Sequence, residues 1–204
     1  MTYKVAWRGA AKDPRDADCA DCVTSTRCRQ QRLPADSGLR VRRHRPLEPG
    51  EFLFHQGERF DAPSIVTSGC IALRETLPDG EERIAAFRVR GEIIGLESWM
   101  SGHHLHGAQA MGPATACQLK WPSRGQAPDR LVVLKLLLAK LGQQLDQATR
   151  PWAGLPAARR VAAFIEDFER RAGEAPPMTR AQIGLHLGLA EETVVRALGR
   201  SRAR

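Results

Sequence analysis

Apolar positions along the chain fall into three regimes that differ in their period. From Leu47 to about Leu119 they come as short runs between turn signals. The runs are Phe52-Leu53-Phe54, Ser64-Ile65-Val66, Ile71-Ala72-Leu73, Arg83-Ile84-Ala85-Ala86-Phe87, Ile93-Ile94 and Thr115-Ala116-Cys117-Gln118-Leu119. The turns are Glu48-Pro49-Gly50, Gln56-Gly57-Glu58, Ser68-Gly69, Pro78-Asp79-Gly80 and Arg90-Gly91-Glu92, where glycine, proline and aspartate supply the backbone angles of a reversal. Turns spaced about 8 to 12 residues apart predict an all-β barrel or sandwich. Pro78-Asp79-Gly80, between two alternating runs, predicts a hairpin.

From Pro128 to about Arg150 the period changes. Leu131, Leu134, Leu138, Leu141, Leu145 and Ala148 are separated alternately by three and four positions, the seam of a coiled coil. Val132, Val133, Leu136 and Leu137 widen the apolar surface. Such a helix is expected to pack on its own β domain and on a second copy of the chain; burial within one monomer is the plainer alternative.

Beyond the break at Pro151–Pro156, Leu155 to Ala172 reads as a helix with Val161, Phe164, Ile165 and Phe168 on one side, closed by Pro176-Pro177. Thr179 with Gln182 makes a capping box that opens a short helix through Leu187. Gly188-Leu189-Ala190 is a tight joint, and Glu191 to Arg200 a second short helix with acids in its first turn, where the helix dipole favours them. Helix, short turn and helix, with Ile183, Leu187, Leu189, Val194 and Leu198 to pack them together, is the helix-turn-helix signature. On the second helix Glu192, Val195 and Arg196 stand at i, i+3 and i+4 and are neighbours. A glutamate accepts from cytosine N4, an arginine forks onto guanine O6 and N7, and a valine meets a thymine methyl. Thr179, Arg180, Arg200, Arg202 and Arg204 are placed for phosphates. An ordinary surface αα-hairpin, with Glu192 and Arg196 as an ion pair, is the competing reading.

Charge favours DNA over that alternative. The 204 residues carry 31 Lys and Arg against 23 Asp and Glu, a formal +8, which attracts polyanions. The length suits one sizeable domain or two small ones. No apolar run reaches the length of a membrane span and the first residues lack a secretory signal, so a cytoplasmic protein with no membrane partner is expected. No paired carboxylates or nucleophile–base set stands out, so no enzyme is expected.

Five cysteines in a chain expected to be cytoplasmic favour metal or redox chemistry over structural disulfides. Cys19-x2-Cys22-x5-Cys28 gathers three thiols in an N-terminal arm, residues 1–28. Thiolates select zinc, Cu(I) or iron–sulfur clusters. A fourth ligand has to come from Cys117 or Cys70, and Cys70, just after a turn glycine, reads better as a small strand residue. Reversible disulfide formation and unreactive thiols remain the alternatives. His103, His104 and His106 read as a solvated or phosphate-facing loop between Gly102 and Gly107. Gly91-Glu92-Ile93-Ile94-Gly95 is a weak candidate for an anion cradle.

The order of elements resembles the cyclic-AMP receptor/FNR superfamily of bacterial transcription regulators, and within it the oxygen-responsive fumarate and nitrate reduction regulator branch. The likeness spans roughly residues 15 to 200. It rests on the Cys19, Cys22, Cys28 arm, on Gly102-His103-His104 through Gln109-Ala110 to Cys117, and on Met178 to Leu189 with Glu192, Thr193, Arg196 and Leu198-Gly199-Arg200. The resemblance implies an α+β fold. An N-terminal double-stranded β-helix (jelly-roll-like) sensor domain over 29–127 would be followed by a dimerisation helix over 128–150 and a helix-turn-helix domain over 151–204. It implies a [4Fe-4S] cluster on Cys19, Cys22, Cys28 and Cys117, and a homodimer formed through Leu131 to Ala148. That dimer would bind palindromic double-stranded DNA while the cluster is intact, with RNA polymerase as a further partner. No cyclic nucleotide is expected, because the His-rich loop and Gln109-Ala110 stand where nucleotide-binding members carry an arginine and a small hydroxyl residue.

Several positions depart from the family pattern. Val195 stands where the family usually has serine, so the half-site is expected to change. Val23 and Arg27 differ near the proposed cluster. Family members follow the recognition helix with a β-hairpin wing, and with only Ser201-Arg202-Ala203-Arg204 in that place a wingless helix-turn-helix is expected. Two other functions stay open: the same DNA-binding fold switched by thiol oxidation or holding zinc, and a wingless dimerisation or partner module that no longer binds DNA.

Overall fold

The structure, a computed structural model, describes residues 40–120, 138, 142 and 154–201. The arm with Cys19, Cys22 and Cys28 lies outside them, as do Leu131, Leu134, Leu141, Leu145, Ala148, Arg202 and Arg204. Within the stripe proposed for the dimer, Leu138 is helical and exposed.

Among the described residues, eight strands build two antiparallel sheets. The strands are β1 (Arg40–Arg43), β2 (Phe52–Phe54), β3 (Ser64–Ser68), β4 (Cys70–Thr76), β5 (Glu82–Val89), β6 (Ile93–Ile94), β7 (Gly107–Ala110) and β8 (Thr115–Lys120). One sheet runs β1-β8-β3-β6 and the other β2-β7-β4-β5. The expected runs became strands because each carries one apolar face, and the sheets close those faces on each other. Val66, Ile94 and Ala116 of the first sheet meet Ile71, Leu73, Ala108 and Ala110 of the second. The expected hairpin joins β4 to β5: Gly80 N–H donates to Leu77 O over 2.9 Å and Leu77 N–H to Glu81 O over 2.8 Å. Gly80, at φ 86°, holds the left-handed angle that the reversal needs.

Strands β1 and β7 were not legible as strands. The stretch Arg40-Val41-Arg42-Arg43 reads as a basic patch, yet it pairs with β8 as an edge strand, a position where charge discourages pairing with other chains. Gly107-Ala108-Gln109-Ala110 alternates only small and polar groups, a weak signal, and is held between β2 and β4.

Among the described residues from 154 on, the helices are α1 (Ala157–Ala172), α2 (Arg180–Leu187) and α3 (Glu191–Ser201). Gly173 ends α1 in the left-handed conformation at φ 79°. The capping box forms as expected, with Gln182 N–H donating to Thr179 Oγ1 over 3.2 Å and Thr179 N–H to Gln182 Oε1 over 2.8 Å. Gly188, at φ 62°, turns the chain from α2 toward α3. Among the described residues, no helix is long and apolar enough to cross a membrane.

The second sheet is buried on both faces around β4. Ile71 and Leu73 point between the sheets, whereas Cys70 and Ala72 belong to a second cluster with Ile84, Phe87 and Val89 of β5. That second cluster is completed by Val161, Phe164 and Phe168 of α1, Ile183 and Leu187 of α2, and Val194 of α3. Four consecutive buried residues, Cys70 to Leu73, are what a strand covered on both sides requires.

Candidate functional site

The outward face of α3 carries the three proposed base readers. Glu192 and Arg196 form an ion pair of 2.9 Å with both side chains largely exposed, and Val195 beside them is 39% exposed. An exposed i,i+4 pair contributes only about 0.3–0.5 kcal/mol, so either side chain gives it up at little cost. The inward face of the same helix buries Val194 and Ala197, with Leu198 partly buried against them. Arg180 opens α2 and is exposed, and the Thr179 hydroxyl accepts from the α2 backbone.

Gly184 in α2 marks a close approach. A β-carbon there would stand 2.5 Å from Leu189 O, so only glycine lets the α2–α3 joint fold back this tightly. Arg160 of α1 donates to Leu187 O, one of the terminal carbonyls of α2.

Cys117, the one proposed cluster ligand among the described residues, lies on β8 opposite Arg43 of β1 and Ile65 of β3. It is buried, and its face of the sheet also carries Ile65, Ile93 and Leu119, all nearly inaccessible. A thiol in a largely apolar surround on the last strand, close to the β1 edge, is a donor chemically suited to a soft metal or cluster. Cys70 packs instead into the cluster under α1, and burial pushes its thiol up to about 12, which leaves it protonated and unreactive. Among the described residues no His, Cys, Asp or Glu group is arranged to hold a metal.

The histidine loop differs from the solvated loop expected. His104 is buried and stacks on Phe54 at 3.5 Å between ring centres, with Phe60 edge-on. Burial lowers its pKa. The physical reason is Gly95, which lets the imidazole approach within 3.3 Å of where a β-carbon would stand. His103 stays exposed, and His106 Nδ1 donates to Glu97 Oε1 over 3.3 Å. His55 stacks on Phe52. The candidate anion cradle is also committed otherwise: Glu92 accepts from Arg171 of α1. Gln109 is held between Arg74 and Gly50 O.

Sequence reading missed the junction between the sheet and the helices. His186 Nδ1 donates to Ile84 O of the edge strand β5 over 2.9 Å, and its ring lies 5.1 Å from Phe87 and 5.2 Å from Phe164. Arg171 of α1 bridges Glu92 at 2.9 Å, donates to Phe87 O at 3.2 Å, and pairs with Asp167 at 2.8 Å. Burial pulls the Arg171 pKa down, but the Glu92 and Asp167 carboxylates outweigh it and leave it raised. The available signal was the uninterrupted apolar run of β4, whose outer side needed a cover.

The described residues form a two-sheet roll whose outer face is covered by α1 and the short α2–α3 pair. Residues 44–123 match the family described as the cyclic nucleotide-binding domain. The chain is 32% identical over 211 residues to the transcriptional activator protein Anr of Pseudomonas protegens, covering 90% of this chain and 82% of that protein. It is 29% identical to the fumarate and nitrate reduction regulatory protein of Escherichia coli K12, covering 89% of this chain and 79% of that one. The solved structure of FixK2 from Bradyrhizobium japonicum superposes with a TM-score of 0.68 at 28% identity, covering 80% of this chain and 85% of FixK2. The chain belongs to the cyclic-AMP receptor/FNR family, whose members matched here are transcription regulators and not enzymes.

Proposed function

We propose that this transcription regulator is an oxygen-responsive one that binds palindromic double-stranded DNA as a homodimer while a [4Fe-4S] cluster is intact. The outward Glu192–Val195–Arg196 face of α3, presented by a capped helix and a tight turn, carries the DNA reading. In this reading Arg196 forks onto a guanine, Glu192 accepts from a cytosine and Val195 covers a thymine methyl. Thr179, Arg180, Arg200, Arg202 and Arg204 hold phosphates, and Leu131, Leu134, Leu138, Leu141, Leu145 and Ala148 join the two copies. Two recognition helices must reach half-sites about one helical turn apart, so a monomer loses most specific affinity.

Cys19, Cys22, Cys28 and Cys117 would hold the cluster. The support is the all-thiol donor set and the buried, largely apolar setting of Cys117, which excludes water from that ligand. A bound cluster would supply an oxygen-reactive iron–sulfur centre. Cys117 shares strand β8 with the residues leading toward position 128, so a ligand there ties the N-terminal arm to the chain entering the dimer helix. A cyclic nucleotide is not proposed as ligand. His106 faces Glu97 and Glu75, and Gln109 is already bonded at both ends of its amide.

Purification without air tests this reading. The expected result is a brown dimer with iron and acid-labile sulfide near about four each per chain, which turns monomeric and colourless on admitting air. A Cys117→Ser chain should purify without the colour. A colourless zinc protein, or one in which only thiols oxidise with no iron lost, overturns the cluster. Binding to a palindromic duplex that weakens steeply with salt is expected of the air-free dimer, and its absence overturns the DNA reading.

A further inference from the structure

The described residues hold one polar junction that the DNA-reading face, the cysteines and the histidine loop leave unused. We infer that His186 and Arg171 are positioning residues for DNA recognition, locking the α2–α3 pair onto strand β5 so that the reading face points in one direction from the sensor roll. This inference rests on the DNA-binding reading above.

Apolar contact supplies the adhesion at this junction but not the register. Phe87 and Ile84 of β5 meet Phe164 and Phe168 of α1 and Ile183 and Leu187 of α2, and greasy surfaces of this kind tolerate sliding. The polar contacts do not. His186 Nδ1 meets the Ile84 carbonyl oxygen of the edge strand β5. A carbonyl cannot donate, so Nδ1 carries the proton and the ring has one productive orientation. Arg171 donates from Nη1 to both Glu92 and Phe87 O while its Nε donates to Asp167, so one planar group is held from two sides. Arg171, Glu92 and Asp167 are all largely buried, and a buried pair of this type adds little net stability but penalises any misaligned state. The two anchors sit on different helices, α2 and α1, and hold β5 at two carbonyls, Ile84 O and Phe87 O, with Glu92 just beyond the strand. Two anchors on one strand remove both sliding and rotation.

The docked arrangement leaves Glu192, Val195 and Arg196 facing solvent, so docking does not mask the reading face. It aims it. A palindrome needs both copies to aim alike, and loosening the junction should therefore hurt sequence-specific binding more than general attraction to phosphates, which depends on charge alone.

The test uses the full chain purified without air, with a palindromic duplex enriched from a two-fold symmetric random pool and a scrambled duplex of equal length. His186→Leu keeps an apolar side chain among the rings but has no donor; His186→Gln restores an N–H. The wild-type chain should prefer the palindrome by about a thousandfold or more. His186→Leu should cut that preference about tenfold, with scrambled-duplex binding changed less than about twofold, and His186→Gln should recover most of it. Amide exchange without DNA should speed up in 84–89 and 181–187 of His186→Leu and stay slow in Ile71 to Leu73.

Equal weakening on both duplexes makes the effect structural and overturns the inference. So does faster exchange with an unchanged preference, and so does a preference that rises, which would make the junction a brake. If the wild-type chain itself shows no preference for any palindrome while exchange in 84–89 is slow, the DNA reading has failed and the docking has not.

Discussion

At the scale of single residues, burial decides which titratable groups stay neutral. The pKa of His186 is lowered first by burial and further by the nearby Arg171 and Arg88 cations; its bond to Ile84 O opposes the shift only in part. The folded chain therefore prefers the neutral ring more than the unfolded chain does. The stability this contributes is complete above the ordinary histidine value of about 6.5 and is lost as pH falls below it toward the depressed folded value. Thermal melts between pH 7.5 and 5.5 should show a falling midpoint, with a smaller fall in His186→Gln; identical slopes would argue against a buried neutral ring. His104, stacked on Phe54, shifts in the same direction through its burial, so a residual slope is expected in the variant. Cys70, pushed up to about 12, should resist alkylation at pH 8 in the native chain and react only in denaturant, as peptide mapping would read. The cysteine arm stands out as a candidate by its spacing and lies outside the described residues. The burial of His104 was not legible in the sequence, because it depends on Gly95 admitting the ring from another part of the loop.

At the scale of elements, local chemistry and close packing pull in opposite directions at Gly184. Within a helix, Gly→Ala ordinarily stabilises by up to about 1 kcal/mol, yet here the new methyl would strike Leu189 O. Gly184→Ala should lower the melting temperature, and an increase would show that the α2–α3 joint yields to the added methyl. Thr179→Ala removes the acceptor of the capping box and should cost about 1 kcal/mol, read as a shift in denaturant midpoint with an unchanged slope. The capping box, the Gly188 joint and the β4–β5 hairpin were all legible, since each is written in three or four adjacent residues. Strands β1 and β7 were not. A charged edge strand and an alanine–glutamine strand become strands only because β8 on one side, and β2 and β4 on the other, offer them hydrogen bonds.

At the scale of the whole molecule, the roll and the C-terminal helices share one core through Phe87, Phe164 and Phe168. Removing the ring from the strand side, Phe87→Ala, should cost about 3–5 kcal/mol and lower the melting of roll and helices together; loss of the helical signal alone would mean two independent units. The periodicity of the chain by itself determined where β2 to β6 and β8, the turns between them and helices α1 to α3 fall, and which helix face is apolar. Those properties follow from interactions between neighbours a few positions apart. Which surface covers which was decided only by the tertiary structure. Glu92 is turned from a candidate anion ligand into the partner of Arg171, 79 positions away, and His186 finds its acceptor in Ile84, 102 positions away. Contacts at that separation leave no periodic trace in the sequence, because their geometry exists only once the sheet has offered its outer face and the helices have closed over it.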